Sequence, residues 1–438
     1  MGTKDGLMGR LLGSSDKFTD KQIAETLDML IDHGMTHGAS DIHIEPLERF
    51  VLVRYRIDGS LRGVHKLPRT ALGPLLAAAK KRAGLSETET RTPQEGEFSE
   101  KGAAVRVATM PVFGGERAVM HLSGNPGKPK ELEHLGFWGR GLAVLQTILA
   151  SSHGFVAVAG PRHSGVSSTL FSMLHQLNSP LLSIATVEIH TKHRIPGVSQ
   201  TYLAAGAPVS ETLRAALKQD PNVVMVADVP DGTTAELAIQ ASGHGHLVLV
   251  GMHADGAVAA TLRLRAAGAE AFLLATNLKA SVGQRLVRAL CTDCRERYRL
   301  TTDEYKQLAE RFGITNPTAR KRLHELEASL APSIFGNVKQ LNSTPAGITH
   351  LWRAGPGGCE QCGHTGYRGR VALTEVLENS PKIQQALLSK DVLSIAGLHA
   401  LALKDGFIPL ALDGLVKALC GQTTVHEVLQ AVNAAPLD

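Results

Sequence analysis

The sequence predicts an α/β fold: a parallel-sheet core, preceded by an α+β domain and followed by a cysteine-bearing insertion and a helical C-terminal part. Three observations carry this. From Gly154 onward the apolar runs "FVAVA", "LLSIATV", "NVVMVAD" and "HLVLVGM" alternate with helical segments, as strands covered on both faces do. Upstream the period falls to two, with Val51, Val53, Tyr55 and Ile57 on one strand face and Leu52, Arg54 and Arg56 on the other. Beyond the core lie two C-x-x-C pairs, far apart in sequence.

Taken in order, residues 1–19 read as a tail that lacks the apolar stretch of a signal peptide. Residues 20–123 form the α+β domain. Ile23, Leu27, Leu30 and Ile31 recur at helical spacing, which predicts an amphipathic helix from Asp20 to Ala39. Strands follow over Asp41 to Asp58, and Asp58-Gly59 is a hairpin signal leading into "SLRGVHKL". A helix over Ala71 to Ala83 precedes two more strand signals, "AAVRVATMPVF" and "ERAVMHL". Residues 124–131, "GNPGKPKE", make a linker. The core takes residues 132–290, the tetracysteine region 291–375 with a polar helical segment "TDEYKQLAERFG", and the helical end 376–438.

Composition narrows the function. With 46 Lys plus Arg against 41 Asp plus Glu and no block of like charge, the surface reads as mixed and solvated. Aromatic residues make up 4% and offer no stacking platform, so nucleic acid is not an expected partner. No run approaches the length of about 20 apolar residues that spans a bilayer, which predicts a soluble, cytoplasmic protein. In a reducing compartment five cysteines argue against disulfides. Cys291 and Cys294 in "CTDC", with Cys359 and Cys362 in "CEQC", supply four thiolates, the ligand set of structural zinc with no open catalytic position. Cys420 reads as a small buried hydrophobe.

The stretch from Gly160 to Thr169, "GPRHSGVSST", sits between an apolar strand and a helix, where a glycine-framed loop cradles phosphate with backbone N–H groups. The motif is G-x-x-x-x-G-K-[ST]. Gly160, Ser164, Gly165 and Ser167 keep its frame, while Pro161, Arg162, His163 and Ser168 fill the loop. Ser167 stands where a hydroxyl ligates magnesium. The lysine position is Val166, which cannot place a cation on the β/γ-phosphates.

Further segments share one pattern. "GASDIHIEP", "VRYRIDGSLR", "TPQEGEF" and "VRVATMPVFGGERAVMHL" occupy the first domain. "QDPNVVMVADVPDGTTAELAIQASGHGHLVLVGMHADGA", "GQRLVRALC", "GCEQCGHTGYRGRVALTEVLE" and "DGFIPLALDGLVKALCGQTT" follow in the rest of the chain. In this order, over about residues 20 to 430, they resemble the secretion ATPase superfamily of type II secretion and type IV pilus assembly. The resemblance implies a RecA-like P-loop core. It places Glu188 of "TVEIH" at the water-activating position, with Ile189 and His190 where the family has Asp and Pro. Asp228 replaces the Walker B glutamate, Pro230 the usual arginine beside it, and His253 holds the histidine-box position. The family usually has glycine at His163. Arg54, Arg56 and Arg62 resemble arginines that approach nucleotide in the family, the alternative being a solvated strand face. Glu95-Gly96-Glu97 stands where the family has D-G-R, which removes positive charge.

The expectation is a divergent member of this family in a type II secretion or type IV pilus-like system. It would form a hexameric ring with weak ATP and magnesium binding, hydrolysis poor or absent, and a regulatory or structural role. An active paralogous ATPase and an inner-membrane platform protein are the partners implied, with a location in the cytoplasm or peripheral to the inner membrane. Only about 20 residues precede the match, so the family's usual extra N-terminal docking domain has no counterpart in this reading. Two alternatives stay open: an active ATP-hydrolysing assembly or retraction motor with an unconventional loop, and a zinc-bearing nucleic-acid-binding protein.

Overall fold

A computed structural model describes residues 18–101, 103–123, 130–189, 194–203, 207–335, 341–389 and 394–432. Two compact units divide the chain, Met1–Lys128 and Pro129–Asp438.

The first unit is a six-stranded antiparallel sheet in the order β3-β2-β1-β6-β5-β4. Its strands are β1 (Ala39–Pro46), β2 (Phe50–Ile57), β3 (Ser60–Pro68), β4 (Gln94–Glu100), β5 (Ala103–Val112) and β6 (Gly115–Ser123). Helices α1 (Asp20–Thr36) and α2 (Leu72–Arg82) supply Leu27, Leu30, Ile31, Leu75 and Leu76 to the core beneath one sheet face. Val51, Val53 and Tyr55 meet them from β2, and the Tyr55 hydroxyl donates to Leu30 O at 2.9 Å. Thr19 and Gln22 close a capping box at the start of α1. The helix stops three residues short of the expected Ala39. Gly38 takes φ +66°, and Ala39 already pairs with Ile57 as the first residue of β1. The β2–β3 hairpin turns on Asp58 (φ +51°) and Gly59 (φ +86°), the paired left-handed residues of a two-residue loop.

The opposite face of this sheet is polar. Arg54 and Arg117 both reach Glu45 Oε1, at 2.7 and 2.9 Å. Asp41 accepts from Ser40 Oγ at 2.8 Å, lies 2.6 Å from His121 Nδ1 and pairs with Arg56 Nε at 3.2 Å. His43 is buried between these carboxylates, and burial, reinforced by the Arg117 guanidinium, lowers its pKa. Long arginine side chains thus cover the central strand and keep its acidic residues out of water.

In the second unit, seven strands run in the order β17-β12-β7-β11-β10-β8-β9. These are β7 (Gly154–Ala159), β8 (Ile184–Glu188), β9 (Ser199–Tyr202), β10 (Val223–Val226), β11 (Leu247–Met252), β12 (Leu278–Leu290) and β17 (Tyr367–Glu378). All neighbours are parallel except β12 and β17. Every residue of β7, β8, β10 and β11 is buried, which is why they read as unbroken apolar runs. Apolar clusters lie on both faces of the sheet. Of "LLSIATV" only the end is strand: Leu182 N closes a turn onto Ser179 O, and Leu181 is 90% exposed. The edge strand β9 had no signal in the sequence reading.

Between β12 and β17 lies the cysteine-bearing insertion. It contains β13 (Glu296–Arg299) paired with β16 (His350–Arg353), a small ladder of β14 (Ser343–Thr344) with β15 (Gly347–Ile348), and two helices, Thr302–Arg311 and Pro317–Phe335. Among the described residues four helices follow β17: Pro381–Leu388, Ile395–Lys404, Leu410–Leu419 and Val425–Val432. Inside the third, buried Lys417 donates to Gly136 O (2.8 Å), Ala372 O (2.6 Å) and Asp413 Oδ2 (2.7 Å). Asp413 also accepts from Trp138 Nε1 and from Thr374 N. Among the described residues no helix is long and apolar enough to cross a membrane.

The polar sheet face sets an acid limit. Burial raises the Asp41 pKa, but the His121 and Ser40 hydrogen bonds and the Arg56 charge outweigh it and hold the carboxyl down at about 2. A folded pKa below the unfolded value stabilises fully above the unfolded pKa, and that stability is lost as pH falls through the folded one. Asp41→Asn is therefore expected to cost about 2 kcal/mol at neutral pH and to flatten the acid limb between about pH 4 and pH 2. Urea unfolding at a series of pH values checks this. An acid limb identical to wild type would show that the pairing contributes nothing.

Candidate nucleotide loop and tetracysteine cluster

The candidate site forms at the carboxyl ends of the parallel strands, where open α/β sheets bind ligands. The loop leaves β7 at Gly160, whose N–H still donates to Met252 O at 3.2 Å. It turns through His163 (φ +64°) and Gly165 (φ +92°) into the helix Val166–Leu177. A histidine in that left-handed conformation costs about 1 kcal/mol relative to glycine. Gly160 has no room for a side chain, because a Cβ there would lie 2.2 Å from Ser164 Oγ and 2.6 Å from Gln284 O. At Gly165 a Cβ would lie 2.5 Å from Gln284 Nε2.

Phosphate fits this loop on two counts. Its backbone is folded as a cradle that two side-chain-free residues make feasible. The hydroxyl of Ser164, a residue 3% exposed, is buried without a hydrogen-bond partner among the described residues. The missing element is the lysine. Val166 is the first residue of the helix, and its half-buried side chain packs against an apolar cluster that includes Val158, Leu170 and Met173. Pro161, Arg162, His163 and Ser168 are exposed, and Ser167 is half-buried on the first helical turn.

Strand order sets the other candidates at the same end of the sheet, His253 against the loop, Asp228 two strands and Glu188 three strands away from β7. His253 follows β11, the neighbour of β7, and its Nδ1 lies 3.3 Å from Gly160 O. Asp228 follows β10, and Glu188 ends β8. Burial raises the Asp228 pKa, against the opposing charges of His253, Arg263 and Arg162. Arg263, from the helix Ala257–Ala266, donates to His253 O. Glu188 is buried, and its Oε1 accepts from Thr186 Oγ1 at 2.6 Å and Gln200 Nε2 at 3.0 Å. Ile189 is 43% exposed, whereas His190 lies outside the described residues.

In the first unit, Arg54 and Arg56 are engaged by Glu45 and Asp41, as above. Arg62 is half-buried and makes no ion pair among the described residues. Glu97 sits opposite Arg106 in the ladder, and Arg106 pairs with Glu95 at 3.2 Å.

Sequence reasoning missed Arg263, Thr169 and above all Gln284. This last residue, on β12 and 1% exposed, donates from Nε2 to Ser164 O at 2.9 Å and accepts from Thr169 Oγ1 at 2.7 Å. It lies in "GQRLVRALC", a segment that carries the family resemblance, but nothing in the sequence ties its side chain to the loop.

The four paired cysteines converge. Cys291 and Cys294 follow β12, while Cys359 and Cys362 bracket a tight turn before β17. Their sulfurs all lie within 4.8 Å of one another, with contacts of 3.7 Å (291–359), 3.9 Å (294–362) and 3.8 Å (359–362). A tetrahedral zinc with Zn–S bonds of about 2.3 Å requires S···S separations of about 3.8 Å, so the donor set fits. Burial raises the Cys362 thiol, but the N–H groups of Cys359 and Gly366, each at 3.2 Å from its sulfur, outweigh this and hold it down at about 6. Cys420 is buried in a separate apolar cluster, and burial pushes its thiol up.

A glycine-framed loop between β7 and a helix, acidic residues at neighbouring strand ends, and a parallel sheet define a phosphate-loop α/β protein. Residues 16–430 match the family model described as Type II/IV secretion system protein, and the chain belongs to that family. It is 35% identical over 418 residues to type II secretion system protein E of Dickeya dadantii, covering 94% of this chain and 76% of the relative. It is 34% identical over 406 residues to the type IV pilus assembly ATPase PilB of Thermus thermophilus, covering 91% of this chain and 42% of that one. Among solved structures, the ATPase DotB of Legionella pneumophila superposes with a TM-score of 0.62 at 17% identity, over 93% of this chain and 95% of that one, a likeness of fold.

Cys359→Ser is expected to abolish stoichiometric zinc and to loosen the insertion, because metal binding free energy at such a site is folding free energy. Elemental analysis of protein purified without chelator reads this directly. Wild-type protein with no zinc would refute it.

Proposed function

We propose that the chain is a divergent secretion or pilus-assembly ATPase-family protein that binds ATP weakly and hydrolyses it poorly or not at all, with a regulatory or structural role. The observation that carries this is Val166. It packs toward apolar neighbours on the turn where the motif requires a phosphate-binding cation. The rest of the loop supports retained phosphate recognition through backbone N–H groups and the unpartnered Ser164 hydroxyl. Magnesium, when bound, supplies charge neutralisation at the β/γ-phosphate oxygens, with Ser167 and Asp228 the residues that would hold it. Asp228 reaches less far than glutamate, and burial keeps it protonated to higher pH than an ordinary carboxylate. Glu188 is the residue to activate water, with His253 beside the loop. The bonds from Thr186 and Gln200 hold its carboxylate in place.

In this reading the protein works as a hexameric ring in a type II secretion or type IV pilus-like machine. An active paralogous ATPase and a membrane platform protein are its partners, and zinc is structural in the insertion. Arg54, Arg56 and Arg62 serve as nucleotide-facing cations only if the first two leave their carboxylates. A second reading, an active motor, draws support from Arg162 and Arg263, two guanidinium groups close enough to influence Asp228. They bring positive charge to a loop without a lysine.

Val166→Lys is expected to strengthen ATP·Mg binding about ten- to a hundred-fold, the value of a hydrogen bond to a charged group. Turnover should improve less, because Asp228 and Ile189 remain and catalysis requires stabilisation specific to the transition state. Calorimetric titration and phosphate release on wild type, Val166→Lys and Glu188→Gln separate the readings. Robust wild-type turnover, unchanged by the lysine and abolished by Glu188→Gln, would establish the motor.

A further inference from the structure

We infer that Gln284 is the positioning residue of the phosphate loop: it fixes the loop's shape from the side facing the sheet, without touching phosphate. The inference deepens the nucleotide reading of this loop and rests on it. Gln284 acts through three contacts. Its Nε2 donates to Ser164 O at 2.9 Å, which anchors the loop's last turn. Its Oε1 accepts from Thr169 Oγ1 at 2.7 Å, which anchors the first turn of the helix. Its backbone carbonyl occupies the space a side chain at Gly160 would need, so the loop's first residue rests on the same residue.

Only a primary amide of this length serves both ends. The Ser164 carbonyl demands a donor and the Thr169 hydroxyl an acceptor. A carboxylate would set an acceptor against the carbonyl, and an apolar side chain would leave the Ser164 carbonyl without its donor and turn the Thr169 hydroxyl back onto its own helix. Gln284 and Thr169 are 1% and 0% exposed, so water does not replace the lost partner. The strand behind Gln284 is held on both sides, by β7 in parallel and by β17 in antiparallel pairing. The clamp is therefore rigid, while the loop's outer residues, Pro161 to His163, are exposed. A loop held open as a cradle binds phosphate without first paying an ordering cost, which is how a residue out of reach of the ligand controls affinity.

The test uses the full chain and two readouts: hydrogen exchange of residues 160–170 without ligand, and calorimetric titration with ATP and magnesium. Gln284→Met keeps the volume and removes both side-chain bonds. It is expected to speed exchange across the loop and first helical turn about ten-fold, with β10 and β11 unchanged, and to weaken ATP about ten-fold. Gln284→Glu should behave likewise at about pH 8 and recover toward wild type, compared at equal pH, as acidification to about pH 5 protonates its buried carboxyl and restores a donor. A residue that merely fills space would show no such pH-dependent recovery. Thr169→Val removes one of the two bonds and gives a smaller change, should the methionine variant fold poorly. Loop exchange unchanged in Gln284→Met, or no acid recovery in Gln284→Glu, would overturn the inference. Equal ATP affinity in wild type and Gln284→Met would also overturn it while leaving the nucleotide reading intact. A wild type that binds no ATP, with the exchange response present, would sink the nucleotide reading and leave the clamp standing.

Discussion

The bare backbone of Gly283 on β12, over which Glu375 of β17 reaches two helix ends, is a constraint that much of the second unit depends on. Gly283 pairs with Ala159 at the end of β7, and a Cβ on Gly283 would lie 2.5 Å from Glu375 Oε1 and 2.7 Å from Ala257 N. With no side chain there, the Glu375 carboxylate reaches across the strand to accept from Ala257 N at 2.6 Å and Leu410 N at 3.0 Å. Those are the first N–H groups of two helices, each without an intrahelical partner, so one carboxylate caps both. Burial raises the Glu375 pKa against the pull of these N–H groups and of Arg285. The next residue along the strand is Gln284, behind the nucleotide loop.

A second buried charge fixes the far side. Lys417 and Asp413, each 1% exposed, bind the backbone at Gly136, Ala372 and Thr374 as well as each other. A buried pair of this kind gives little net stability over apolar residues of similar size, but losing one partner strands the other charge. Its effect is on arrangement. The segment before the helix Gly139–Leu149, the strand β17 and the helix Leu410–Leu419 all bond to this Lys417–Asp413 pair, which ties the three together.

Much of this was legible in the sequence where one residue type carries the signal alone. Four buried strands announced themselves because both their faces are covered, and the C-x-x-C pairs because thiolates at that spacing have few other uses. The hairpin at Asp58-Gly59 was legible for the same reason, since few residues adopt two left-handed conformations in succession. What stayed hidden depends on register between distant segments. Arg54 reads as a strand-face cation until β1 sets Glu45 beside it. Gln284 reads as an oddity until parallel pairing with β7 carries it to the loop. The strand β9 is four polar residues at a sheet edge, with three of them exposed, so it has no period to detect.

Much of the loop's conformation is set by groups that face away from any ligand: a glutamine amide, a threonine hydroxyl and the missing side chains of two glycines. The side chains of Pro161, Arg162 and His163 are exposed and take no part in that clamp. Val166, at the motif's lysine position, packs instead against the apolar cluster behind the helix. Shape and charge are set from different sides of this loop. A change at one ligand-facing position can therefore alter what the loop attracts without touching the groups that give it its form.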